Sequence, residues 1–167
     1  AKAVSAWIDD QDTTWREDIV WGTLDMSGPY RKVFNDSLPA ATQVADPFHV
    51  IKLANTRLDE VRRRVQHETL GHRGHRDDPL YRSRRLLTKG HERLDETGEA
   101  KLLGLLEAGD PKGEVRMAWH AKETLRGFYD QSADTADAYL TELAVDLVDR
   151  EMSPELRQLG RTLKRWH

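Results

Sequence analysis

Two aspartates each follow a short segment rich in β-forming residues. Asp25 comes directly after "IVWGTL" (19–24), and Asp46 comes directly after "ATQVA" (41–45). In parallel α/β sheets, functional side chains collect just beyond the carboxyl ends of the strands. Paired carboxylates in that position hold hard divalent ions, because Mg²⁺ prefers oxygen ligands and keeps part of its water shell for a phosphate substrate. The two aspartates are therefore candidate metal ligands.

Each of these residues also has a structural interpretation. Asp46 precedes a proline at a helix start, a common capping arrangement. Ser27 would cap the helix that follows Asp25, which leaves the Asp25 carboxylate available for another role. His49 lies three residues after Asp46, where it can reach back to that carboxylate. Most histidines in such a place are structural hydrogen-bond partners.

The histidines of "HETLGHRGH" (67–75) suggest a zinc site at first sight. His67 and His72 are five residues apart, one more than in a zinc-binding HExxH helix, and Gly71 interrupts the helix between them. We therefore expect no zinc site in this histidine cluster. The sequence also contains neither a Gly-rich phosphate loop with Lys-Ser/Thr nor a Gly-x-Ser-x-Gly elbow.

The elements around the aspartates read as a βαβ unit. The segments 19–24 and 41–45 are predicted strands, and a helix over 29–38 lies between them, so the strands should be parallel neighbours. Two parallel strands are marginal alone and are normally buried on both faces. We therefore expect this unit to be part of a larger sheet, and the chain to be a fragment of a larger protein.

The rest of the chain is predicted to be helical. A short helix is expected within 1–10, and a long amphipathic helix from Pro47 to about Gly71. Further helices fit the following segments, with Asp78 and Ser153 as the caps of the first and last: 79–95, 98–109, 113–129, 135–151 and 153–167. The predicted fold class is mainly α with a small α/β part.

The composition is that of a charge-rich chain without cysteine. Its 167 residues are 38% hydrophobic and 33% charged, and no apolar run approaches the ~20 residues that span a bilayer. We expect a cytoplasmic protein that does not bind membranes. Without cysteine it has neither disulfides nor a thiolate zinc site.

The net charge of −3 is unevenly distributed. Residues 52–93 contain twelve Lys/Arg and six Asp/Glu, a local charge of +6, so the remainder carries −9. This division suits a protein that presents one basic face to a polyanion. A solvated, Arg-rich helical surface explains the charge equally well.

Three stretches resemble one known family. They are "WGTLDMSGPYRKVFNDSLPAATQVADPFHVIKLANTRLDEVRRR", "HETLGHRGHRDDPLYRSRRLLTKGHERL" and "GLLEAGDPKGEVRMAWHAKE". Together they closely resemble the central segment of bacterial insertion-sequence transposases of the DDE type, in the branch called ISL-three. The resemblance covers nearly the whole chain.

The resemblance implies a ribonuclease-H-like core in which three carboxylates bind two Mg²⁺ (or Mn²⁺) ions for DNA strand cleavage and transfer. Asp25 in "TLDMSG" is similar to the second catalytic aspartate and is the expected metal ligand. Asp46 and His49 resemble an Asp-x-x-His signature that supports the site. An alternative alignment makes Asp46 the ligand.

The resemblance also implies two domains, a partial ribonuclease-H-like core over 1–70 and an α-helical insertion over 71–167. The expected partner is double-stranded DNA, at transposon ends and target, and a homodimer is possible. The basic start of the insertion suits contact with DNA phosphates. The expected DNA-binding residues are Arg62, Arg63, Arg73, Arg76, Arg84 and Arg85.

Two parts of the family pattern have no counterpart in this sequence. Nothing before Ile19 is predicted as a strand that could bring the first catalytic aspartate, and the last catalytic glutamate is expected beyond His167. We therefore expect this chain alone to be catalytically inactive and to hold no metal ion of the complete enzyme. The alternative is a non-catalytic helical module that binds DNA or a protein.

Overall fold

The computed structural model describes residues 1–167 as two compact units, Ala1–Val50 and Ile51–His167. The first contains a two-stranded sheet of β1 (Trp21–Leu24) and β2 (Thr42–Ala45). The helices are, in chain order, α1 (Lys2–Asp9), α2 (Thr13–Glu17), α3 (Gly28–Ser37), α4 (Pro47–Leu70), α5 (Pro79–Thr88), α6 (Glu96–Gly109), α7 (Glu114–Gly127), α8 (Ala133–Asp146) and α9 (Pro154–Trp166). Short 3-10 helices follow α5 (His91–Arg93) and α7 (Phe128–Asp130). The predicted composition, mostly helical with a small parallel sheet, is confirmed.

The sheet of the first unit is parallel, as the βαβ pattern predicts. Leu24 lies opposite Ala45 in the register, and α3 connects the two strands. A small core of Ile8, Val33, Leu38 and Ala41 is buried beside the sheet. Gly22 has a specific role in β1, because a Cβ at this position would lie 1.9 Å from the ring of Phe34 on α3. This close approach lets the helix pack directly on the strand.

The second unit is entirely helical. Leu58, Val61 and Val65 form the buried face of α4 at helical spacing, and Trp119 and Leu125 are buried on α7. Helix α5 packs on α6, and α8 packs on α9. None of the helices is long and apolar enough to cross a membrane.

Several predicted details of the helix ends differ from the structure, and one of them is the helix expected over 135–151, which ends at Asp146. The helix expected over 79–95 ends at Thr88, and Gly90 separates it from the 3-10 helix. Ser27 and Asp78 occupy the N-cap positions of α3 and α5, but neither side chain bonds the helix amides. The cap at Ser153 is confirmed, since its hydroxyl accepts from the Leu156 amide at 3.4 Å.

Candidate catalytic edge and basic surface

Asp25 and Asp46 lie at the same edge of the sheet. Each follows the last residue of its strand, and the amide of Asp46 donates to the carbonyl of Leu24 at 2.7 Å. Because the strands are parallel and in register, the two aspartates leave the sheet side by side. The parallel pairing predicted from the sequence is therefore confirmed, and the role of the two aspartates stays a prediction.

The backbone beside Asp25 is strained. Met26 has φ 62°, and it is the chain's one residue other than glycine with positive φ. A left-handed conformation is unfavourable for a side chain with a Cβ, and such strain often occurs at functional sites. The Asp25 Oδ1 atom accepts from the Ser27 amide at 3.1 Å, which stabilises this turn. The sequence predicts Ser27 as the side-chain cap of α3 and a free Asp25 carboxylate, whereas in the structure the Ser27 side chain makes no cap bond and the Asp25 carboxylate bonds the Ser27 amide.

Asp46 and His49 form a pair, as their spacing predicts. His49 Nδ1 is 2.9 Å from Asp46 Oδ2, and Asp46 Oδ1 accepts from the Phe48 amide at 2.9 Å. The bond from His49, and after it the bond from the Phe48 amide, hold the pKa of Asp46 below its ordinary value. Asp46 therefore caps α4 and is ionised, with both of its oxygens already in hydrogen bonds.

The residue types at this edge suit a single hard divalent ion. A carboxylate follows each of the two adjacent strands, and carboxylate oxygens are what Mg²⁺ or Mn²⁺ prefers. Asp25 offers the less occupied ligand of the two, since His49 and Phe48 engage both Asp46 oxygens. Two carboxylates do not suffice for the two ions of a complete active site.

The six arginines expected to contact DNA fall into two groups. Arg62 is 6% exposed, and its guanidinium donates to Asp59 and Gln66. Because burial and these bonds occupy its donors, we leave Arg62 out of the DNA-binding set. The guanidinium of Arg84 lies 3.8 Å over the ring of Tyr81 and donates to the Tyr81 carbonyl.

The remaining four arginines have exposed side chains. Arg63 pairs with Asp59 at 3.0 Å, while Arg73, Arg76 and Arg85 form no ion pair. Arg63 and Arg73 line an open cavity of about 570 Å³ between the end of α4, the following loop and α5. Four arginines and one glutamate line this cavity, and sequence reasoning identified three of these arginines but not the depression.

One transposase family matches the chain along its whole length. The family model for transposases of the DDE type, ISL-three branch, matches residues 1–167. No curated protein and no solved structure matches the chain. Transposases of this type generally use divalent metal ions and act on DNA. The chain belongs to the ISL-three family of DDE transposases.

Proposed function

We propose that this chain supplies part of the catalytic core of a DNA transposase that cleaves and joins DNA strands for insertion-sequence mobility. The observation that carries the proposal is the register of β1 and β2, which brings Asp25 and Asp46 to one edge. Family membership supplies the reaction class. The proposal keeps the division between a partial ribonuclease-H-like core and a helical insertion near residue 70.

Each residue at the edge has a separate task. Asp25 is the proposed ligand of a Mg²⁺ or Mn²⁺ ion, and the turn through Met26 positions its carboxylate. His49 holds the Asp46 carboxylate in place, and Asp46 fixes the start of α4 beside Asp25. When bound, the ion supplies charge neutralisation at the phosphate and a water of lowered pKa. In the alternative assignment, Asp46 binds the ion in place of Asp25.

Manganese binding tests the assignment on the chain itself. Paramagnetic Mn²⁺ should broaden the backbone amide NMR signals of residues 24–27 and 45–47, and Asp25→Asn should abolish this broadening. Asp36→Asn is the matched control, because Asp36 is an exposed α3 aspartate paired only with Lys32. If Asp46→Asn abolishes the broadening and Asp25→Asn does not, Asp46 is the ligand. Unaltered edge signals in the unsubstituted chain would overturn the proposal.

The chain alone should not cut DNA. The edge places two carboxylates where the family's chemistry needs three, so two ions cannot be held around a phosphodiester. Supercoiled plasmid incubated with the purified chain and Mg²⁺ or Mn²⁺ should remain uncut. Nicking that requires metal and disappears in Asp25→Asn would contradict this expectation.

A second candidate function is a non-catalytic module that binds DNA. The observation in its favour is the set of exposed arginines without ion pairs, Arg73, Arg76 and Arg85. This reading requires DNA affinity but no metal at Asp25. The manganese experiment therefore separates the two candidates.

A further inference from the structure

The loop between α4 and α5 gathers three metal-binding side chains. One donor atom each from His72, His75 and Asp78 lies within 4.8 Å of the other two. The imidazole rings are stacked, with centroids 4.1 Å apart and planes 13° from parallel. His72 Nδ1 is 3.7 Å from Asp78 Oδ2. The group belongs to the second unit and has no role in the proposed function.

The backbone of this loop holds the three residues together. Gly71 ends α4 with φ +72°, a conformation that favours glycine. Gly74 packs so closely that a Cβ would lie 2.6 Å from both Gln66 Nε2 and the Tyr81 ring. The Asp78 amide also donates to the His75 carbonyl at 3.1 Å. The arrangement is thus imposed by the fold around it.

The Asp78 carboxylate is directed into the loop and not toward the helix that it precedes. Its Oδ2 accepts from the His75 amide at 2.5 Å and from Gln66 Nε2 at 3.3 Å, while it makes no cap bond to α5. Gln66 is 2% exposed. A buried partner that orients a carboxylate is the arrangement found behind metal ligands.

The hydrogen bond of His72 fixes its tautomer. Its Nδ1 lies 2.6 Å from the Arg73 carbonyl, so Nδ1 donates this bond and Nε2 is the nitrogen whose lone pair a metal ion can use. Metal-binding histidines commonly donate their other ring nitrogen to a backbone carbonyl in this way. His72 is therefore prepared to bind a cation through Nε2.

We propose that His72, His75 and Asp78 form a binding site for a divalent transition-metal ion, with Zn²⁺ as the best match. Two imidazoles and one carboxylate are ligands that zinc accepts and that Mg²⁺ and Ca²⁺ do not favour. Tetrahedral zinc needs donor atoms about 3.4 Å apart, given bonds of about 2.0–2.1 Å. His75 is exposed and can rotate to close this gap, and water completes the coordination.

The surrounding charges set limits on affinity. Arg73 and Arg76 alternate with the ligands along the loop and oppose a cation, while Asp77 offsets one of these charges. Both arginines are exposed, so solvent screens their effect. A bound ion would join the two ends of the loop and fix the α4–α5 connection.

Zinc titration of the tag-free, EDTA-treated chain tests the proposal. Calorimetry should give one equivalent of Zn²⁺ bound, and Co²⁺ should give the visible absorption of a four- or five-coordinate ion. His75→Ala removes a ligand without touching the buried Gln66, so its affinity should fall by at least the roughly 10–100-fold typical of lost supporting groups. His67→Ala is the matched control, since His67 is an exposed histidine at the end of α4.

The outcomes are distinct. Stoichiometric binding that His75→Ala weakens and His67→Ala preserves supports the site. Absence of binding, or equal binding by His75→Ala and the unsubstituted chain, overturns it. Asp25→Asn should bind zinc normally, so failure of the catalytic proposal and failure of this one are separable.

Discussion

At the scale of single residues, Lys122 is the most heavily buried charge. Its side chain is 1% exposed, and its ammonium donates to the carbonyls of Leu87 at 2.7 Å and Lys89 at 2.6 Å. These carbonyls lie at the end of α5, where a helix leaves unpaired acceptors and a partial negative charge. Burial lowers the pKa of Lys122, although its ion pair with Glu123 opposes this shift. Lys122 thus serves as an internal cap for another helix.

Replacing this lysine should destabilise the chain. Lys122→Met keeps the length of the side chain but leaves the Leu87 and Lys89 carbonyls without a donor, at a cost of about 1–3 kcal/mol in the free energy of unfolding. Urea denaturation at pH 7 measures this change in the free energy of unfolding. Lys101→Met, at an exposed α6 position, should change stability by less than about 0.5 kcal/mol. Equal effects of the two substitutions would show that the buried bonds contribute little.

At the scale of elements, one guanidinium joins three helices. Arg64 on α4 pairs with Glu114 at 2.6 Å and with Glu155 at 2.8 Å. These glutamates lie in the first turns of α7 and α9, where the helix dipole favours negative charge. Hydrogen bonds to Glu155, then to Glu114, raise the pKa of Arg64. The ion-pair cluster therefore stabilises the packing of α4, α7 and α9.

Because of this cluster, the free energy of unfolding should depend on pH in the acid range. Burial is the largest single effect and raises the pKa of Glu155, but the hydrogen bonds and charge of Arg64, the backbone amide of Glu155 and the Ser153 hydroxyl together outweigh it, and the folded-state pKa lies below the ordinary 4.5. A lowered carboxyl pKa contributes stability that is present above pH 4.5 and lost as pH falls through the folded value. Glu155→Gln should therefore reduce stability at pH 7 and flatten its decline below pH 4.5. Urea midpoints measured between pH 7 and pH 3 give both effects.

The control for this experiment is Glu142→Gln at an exposed position of α8. It should leave the stability at pH 7 and the acid dependence close to those of the unsubstituted chain. If Glu155→Gln loses stability below pH 4.5 as steeply as the unsubstituted chain does, another carboxylate is responsible for the acid dependence.

The local sequence pattern predicted where helices and strands lie, but not which distant residues they contact. Periodicity and proline positions located β1, β2 and α4 within about two residues, and the spacing of Asp46 and His49 predicted their pair. Pattern alone did not identify the partners of Arg64, because Glu155 lies 91 positions away and only the packing brings it near.

The loop before α5 also could not be predicted from local pattern. The prediction of no zinc site compared the histidines with a helical motif, which does not apply to His72 and His75 because both lie beyond the end of α4. Their spacing to Asp78 was visible in the sequence, but the turn that brings them together depends on Gly71 and Gly74. The strained turn at Met26 had no sequence signal.

At the scale of the whole chain, ion pairs divide the basic charge of residues 52–93 between two stretches. Arg57, Arg62, Arg63 and Arg64 each pair with a carboxylate of α4 itself, which the local charge of +6 already includes. Arg73 and Arg76 in the loop before α5, and Arg82 and Arg85 on α5, are exposed and form no ion pair. Contact with a polyanion should therefore depend more on these later arginines than on α4.

Salt dependence of duplex DNA binding tests this distribution of charge. Each phosphate contact that is lost should reduce the slope of log affinity against log salt by roughly 1, so Arg73→Gln with Arg76→Gln should reduce it by about 2. Arg62→Gln should leave the slope unchanged, because its guanidinium is buried against Asp59. Arg161→Gln, at an exposed α9 position, is the matched control. A slope that is insensitive to Arg73 and Arg76 would exclude this loop as the DNA contact, and no affinity at any salt concentration would favour a protein partner for the basic surface.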